Sequence, residues 1–229
     1  MWKKVILAAT ACALALSFVS HGLADGNSNP NPGVLPIHSN AFGKTYGEWA
    51  AEWWKWALSF PLNVNPLFDE TGEFQDQGQS GQVWFLGSSV GFGEWVRECE
   101  VPAGKAIFFP ITQVVFWAPE DGEAEEELRA RANASMDGVT TLECTVDGVL
   151  LENLFDYRAE SPAFTIPDTL LIDIGYPPGD RFPAVADGYW ILLAPLSRGE
   201  HEIHFYMEIT EGEFAGNSHD VTYHLTIGE

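Results

Sequence analysis

The sequence predicts a mainly β protein, an antiparallel β-sandwich with jelly-roll character, carrying a tryptophan-rich helix near its N-terminus and one further short helix. Three observations support this. From residue 82 onward, short runs rich in β-branched and aromatic residues alternate with Gly, Pro, Asn and Asp turn signals. Helical patterning is confined to residues 45–59 and 122–134, so the strand-helix alternation of a parallel sheet is missing. No internal repeat is visible.

The chain opens on Lys3 and Lys4, followed by an apolar run over residues 5–19 and small residues at Gly22 and Ala24. This pattern predicts a secretory signal peptide, residues 1–24, and hence a secreted or periplasmic protein. The run is shorter than the roughly 20 residues a spanning helix needs, so no membrane span is expected in the mature chain. Residues 25–39, which begin DGNSNPNPGVLP, read as a flexible leader, and residues 40–229 as a single domain. Cleavage removes Cys12. Cys99 and Cys144 then form an even pair in an oxidising compartment, which predicts a disulfide.

Thr45-Tyr46-Gly47-Glu48 has the T-x-x-E pattern of a capping box, and the helix it starts should stop at Phe60-Pro61. Trp49, Trp53, Trp56 and Phe60 recur at helical spacing, with Ala50, Trp54 and Ala57 on the next stripe. Glu48, Glu52 and Lys55 form the polar face. After a turn-rich stretch, a strand is expected over 82–86, then a hairpin of 95–101 with 105–112. The helix at 122–134 has acids first and arginines later, as its dipole favours. A second hairpin turns at Asp147-Gly148. Strands at 163–166, 170–174, 189–194, 201–210 and 220–227 complete the set, with 189–194 and 201–210 expected to pair. Ile203, Phe205, Met207 and Ile209 should share one face.

A formal charge of −22, from 11 basic and 33 acidic residues, excludes nucleic-acid partners: little is available to neutralise phosphates. Hydrophobic content of 46% excludes disorder. No nucleophile elbow, Walker loop or dinucleotide fingerprint is present. His201 and His204 point to opposite faces of a strand and His204 and His219 could meet across strands, but no metal-ligand pattern emerges and no metal site is assigned. Asp69, Glu70, Glu73 and Asp76 in one loop, and Asp168, Asp173, Asp180 and Asp187 farther on, supply oxygens for a structural calcium, and no other cofactor is expected. Glu48, Glu52, Glu94, Glu98 and Glu143 lie near aromatic segments, where paired carboxylates could cleave a polysaccharide.

Eight of the nine tryptophans lie beyond residue 24. Indole faces can stack on the apolar faces of sugar rings. Trp54, Glu52 on the acidic stripe beside it, and Trp117, at a strand exit before Ala118-Pro119, are the binding candidates, with both indoles expected to be exposed. Tyr46 to Trp49 with Trp53 to Trp56, residues 78–86 (GQSGQVWFL), 101–110 (VPAGKAIFFP) and 188–199 (GYWILLAPLSRG) together resemble a group of exported bacterial proteins of uncharacterised function. The resemblance implies a bacterial, exported, β-rich protein and carries over no catalytic residue. The expected function is therefore an exported, non-catalytic binding or matrix protein with a glycan or cell-envelope surface as partner. A polysaccharide hydrolase or lyase is the alternative. Oligomeric state is not legible in the sequence.

Overall fold

Thr45 starts the first helix as the T-x-x-E pattern predicts. Its hydroxyl accepts from the Glu48 amide at 3.2 Å, and the Glu48 carboxylate accepts from the Thr45 amide at 2.8 Å. The computed structural model describes residues 31, 33–90 and 93–228, so the expected signal peptide, Cys12 and the start of the leader lie outside the described residues. Helix α1 (Tyr46–Leu58) buries Trp53 fully, and the Trp53 indole donates to the Leu86 carbonyl at 2.9 Å. Burying each such aromatic contributes on the order of 2–3 kcal/mol. Propensity alone would not hold a helix of this length, and the aromatic face does.

The chain is mainly β, with two mixed five-stranded sheets. The first contains β1 (Val83–Phe85), β3 (Ala106–Trp117), β8 (Arg181–Leu193) and β6 (Arg158–Glu160) in that order, with β7 (Phe164–Ile166) also on β8. The second runs β2 (Gly93–Pro102), β10 (Asn217–Gly228), β9 (Gly199–Ile209), β4 (Val139–Val146), β5 (Val149–Leu150). Two helices follow α1: α2 (Glu125–Asp137) and α3 (Thr169–Asp173).

The first sheet is covered on both faces. Trp190 of β8 meets Trp53 edge-on at 5.5 Å, and Tyr46 meets Phe108 at 5.9 Å, so one face carries α1. The alternate residues point the other way. Phe109 stacks on Phe205 of β9 with ring centroids 5.4 Å apart, and farther along, Phe116 and Val185 cluster with Leu128 and Ala132 of α2. In β9 the expected face is realised: Ile203, Phe205, Met207 and Ile209 are buried, and their neighbours are not.

Several expectations need correction. The sheets are not purely antiparallel: β1 runs parallel to β3, and β2 parallel to β10. The two expected pairings of neighbours, β2 with β3 and β8 with β9, do not form, because each turn carries the chain from one sheet to the other. A turn signal fixes a reversal of direction and leaves the partner open. Residues 170–174 form the short helix α3 and not a strand, the ambiguity inherent in a brief apolar run. The Asp147-Gly148 turn does form its hairpin, with both residues at positive φ, 52° and 73°.

The leader is corrected in part. The buried Asn31 donates to the Glu152 carbonyl at 2.7 Å, and the amides of Leu35 and Ala194 link residues 33–35 to the end of β8. The disulfide is corrected outright. Cys99 and Cys144 are free and buried, on β2 and β4, with β10 and β9 between them. Three strand spacings of about 4.8 Å put the residues well beyond the roughly 7 Å limit for a bridge.

Candidate functional site

In β3 the pairing with β8 shifts register between Pro110 and Thr112, leaving Ile111 in a bulge outside the ladder. Its carbonyl accepts from Nε2 of His219 on β10 at 2.7 Å. Burial pushes the His219 pKa below its ordinary value, against the pull of the Ile111 carbonyl and with help from nearby Arg97, so the ring is neutral. His219 lines a cavity of about 410 Å³, in the size range of small-molecule sites.

The cavity opens where α1, α3, the middle of β3 and the β9–β10 turn converge. Its hydrocarbon walls come from Leu58, Leu67, Leu170, Leu171, Met207 and Ile209. Trp54 from α1 and Trp117 from the end of β3 both line it, so the structure brings these two sequence candidates into one site. Ser89, Thr112 and Gln113 add polar groups.

Eight buried side-chain polar atoms among the described residues have no hydrogen-bond partner, and four of them are on residues that also line this cavity: Trp54 Nε1, Trp117 Nε1, Ser89 Oγ and Gln113 Oε1. Leaving such a group unpaired costs roughly 1–3 kcal/mol. These four atoms themselves are shielded from the cavity's open space. By contrast, Trp53 and Trp56 both donate to main-chain carbonyls, of Leu86 and Gln77.

Arg97 holds the cavity's outer loops. Its guanidinium donates to the carbonyls of Asp69, Gly87 and Ser88 at 2.7, 2.9 and 3.1 Å, fixing the segments that carry Leu67, Ser89 and Val90. The Asp69 carboxylate secures the same loop. Burial would raise its pKa, but the amides of Phe74, Thr71 and Gly72 outweigh this and hold it below the usual range.

Glu52 lies apart from the cavity. Its carboxylate pairs with Lys44 and Lys55, each at 3.1 Å. Among the described residues that line the cavity there is no Asp or Glu, so none of them forms a carboxylate pair facing the two indoles. An acid-rich groove of about 590 Å³ does exist elsewhere, lined by Glu98, Glu100, Glu200 and His224 among others, without a tryptophan. The histidines stay separate: His201 bonds Asp147 and His204 bonds Asp220, each at 2.7 Å. Among the described residues no group of three His, Cys, Asp or Glu is placed to hold a metal. Of the acids considered for calcium, Asp69 accepts from loop amides, Asp173 from the Leu62 amide, and Asp187 from Arg158.

Sequence reasoning missed Ser89 and Gln113, and weighed His219 only as a cross-strand partner of His204, which instead bonds Asp220. Nothing in their local sequence marks them, because the bulge and the sheet crossing bring them together.

No family model and no curated protein matches the chain. Among solved structures, the chain is similar to one from "Structure of PbICP-C in complex with falcipain-2", with 8% sequence identity, covering 65% of this chain and 100% of that one at a TM-score of 0.25. A likeness at that level carries no conclusion about fold or function.

Proposed function

We propose that this is an exported, non-catalytic binding protein whose ligand enters the Trp54–Trp117 cleft. One observation carries the reading: a largely apolar cavity of ligand size lies between Trp54 and Trp117, with hydrocarbon walls and without Asp, Glu, Lys or Arg among the described residues that line it. A neutral ligand there would cover apolar surface that otherwise faces water. The Lys3-Lys4 and apolar N-terminal pattern supports export. We also read the two sheets as the layers of a sandwich, supported by the Phe109–Phe205 stack.

The geometry favours enclosure of a small ligand over a sugar laid on an open indole platform. Trp54 is only 9% exposed, and aliphatic side chains make up most of the walls. The hydrolase reading finds no support at this cleft, since no acid among the described residues lines it.

Calorimetric titration of small neutral ligands against the protein and a Val114→Trp variant tests the proposal. Val114 lines the cavity and is partly buried, so a larger side chain there narrows it. Saturable binding that the variant loses supports the cleft as the site, and binding that survives unchanged overturns it.

A further inference from the structure

On the side of the cleft made by α1, α3 and the adjoining loops, Leu58, Leu67, Leu170 and Leu171 are buried, while Phe68, Val90 and Ile174 carry the same apolar lining out to 37%, 43% and 45% exposure. Apolar side chains therefore line the cleft from its interior to its rim. The Asp173 carboxylate accepts from the Leu62 amide at 2.9 Å, which ties α3 to the chain just after α1 and fixes this wall. Past the rim, Ile172 of α3 is exposed, and Tyr176 packs edge-on against Trp117 with ring centroids 5.8 Å apart.

Polar groups do not interrupt this side. Ser89 Oγ, Gln113 Oε1 and both indole Nε1 atoms are shielded from open space, so an occupant meets the rings of Trp54 and Trp117 and not their N–H groups. The other polar lining residues, Thr112, Asn217, Ser218 and His219, belong to β3 and β10, and Nε2 of His219 is already engaged by the Ile111 carbonyl. Among the described lining residues there is no Lys, Arg, Asp or Glu, so a charged group carried inward would find no counter-ion. Burying a charge or a hydroxyl unpaired is unfavourable, whereas burying a methylene is favourable.

We propose, resting on the binding reading above, that the occupant is a hydrocarbon chain that enters end-first along the wall of α1 and α3 and leaves its polar head at the rim. The inner part of the chain covers the indole rings and the leucines, and the outer part covers Phe68, Val90 and Ile174, which otherwise face water. A head outside the cavity needs no partner in the wall. The formal charge of −22 favours an uncharged or cationic head over a carboxylate.

The test is calorimetry with 1-octanol, 1-hexanol and 1,8-octanediol, each below its solubility limit, on the wild type and on Val114→Trp. 1-Octanol should bind saturably, and 1-hexanol about tenfold more weakly for its two missing methylenes. The diol carries a hydroxyl at whichever end enters, and should bind roughly tenfold more weakly than 1-octanol. Val114→Trp should abolish octanol binding, and Ile174→Asp, a change at an exposed rim position that covers the case in which Val114→Trp does not fold, should weaken it about threefold. Circular dichroism of each variant reports whether the fold persists. Equal affinity for octanol and hexanol, or for octanol and the diol, overturns the end-first chain; where Val114→Trp still abolishes that binding, the cleft reading survives. Octanol binding indifferent to both variants overturns the assignment and counts against the cleft as well. No octanol binding overturns the chain assignment alone, and a dimer that Val114→Trp splits in size-exclusion chromatography would then make a second copy of this chain the occupant.

Discussion

Arg97 donates to the Tyr223 hydroxyl at 2.7 Å in a site where the Arg97 side chain is fully buried and its remaining bonds go to neutral main-chain oxygens. The Arg97 guanidinium also lies 5.0 Å from the ring centre of Trp95. A cation held by carbonyls and aromatic faces joins β2 and β10 to the loops that shape the cleft. Removing it leaves several buried acceptors bare. Arg97→Met should cost about 3–5 kcal/mol in urea unfolding, and Arg97→Lys, which lacks the fork, somewhat less. A loss below about 1 kcal/mol would show that water can replace the guanidinium.

Gly47 gives a prediction against helix propensity. It lies in the first turn of α1, where alanine would ordinarily stabilise by about 1 kcal/mol. A Cβ there would stand 2.0 Å from the Glu160 carbonyl oxygen on β6. Gly47→Ala should therefore destabilise by about 1–3 kcal/mol, as overpacking does. Thermal unfolding reads the sign directly, and a raised midpoint would mean that α1 does not dock so closely.

The cysteines should behave as separate thiols. Burial pushes the Cys99 thiol up to about 12 and raises that of Cys144 as well, so neither presents a reactive thiolate at neutral pH. Alkylation followed by intact-mass measurement should label both positions only after unfolding. A mass two hydrogens lower, resistant to alkylation until reduced, would contradict the two-strand separation.

Two histidines should give opposite pH dependences. His219 sits below its ordinary 6.5 through burial, so on acidification the unfolded chain gains a proton that the folded chain refuses. The stability difference between the wild type and His219→Gln should shrink as pH falls below about 6.5. His201 is lowered by burial, but hydrogen bonds to Asp147 and Ser197 outweigh this and raise it above 6.5. Its contribution is present in full below about 6.5 and is lost as pH rises through the higher folded value. Urea midpoints of the wild type, His219→Gln and His201→Gln between pH 5 and 8 decide the signs. Parallel curves would contradict both assignments.

Local signals were legible in the sequence, and pairings were not. The Thr45–Glu48 box, the buried stripes of α1, the Asp147-Gly148 turn and the β9 alternation depend on neighbours within a few residues. The partnering of β2 with β10 depends on which sheet each strand joins after its turn, a choice set by the whole core. The error over Cys99 and Cys144 has the same source, since an even count of cysteines says nothing about distance. Trp54 and Trp117 were expected to be exposed indoles, but Trp54 is buried and Trp117 half-buried, because both pack into the walls of the cleft. Glu52 was judged by its place on the helix surface, and its two lysine partners came from the polar face and from Lys44 before the cap.

The most direct measurement is the set of indole proton–nitrogen resonances recorded while a small neutral ligand that binds by calorimetry is added. Trp54 and Trp117 line the cleft, whereas Trp53 and Trp56 lie outside its lining and are bonded to carbonyls. Two resonances, assigned to Trp54 and Trp117 by single substitution, should shift together and saturate while those of Trp53 and Trp56 stay in place. Stationary Trp54 and Trp117 signals, or equal movement of all four, would contradict the cleft as the binding site.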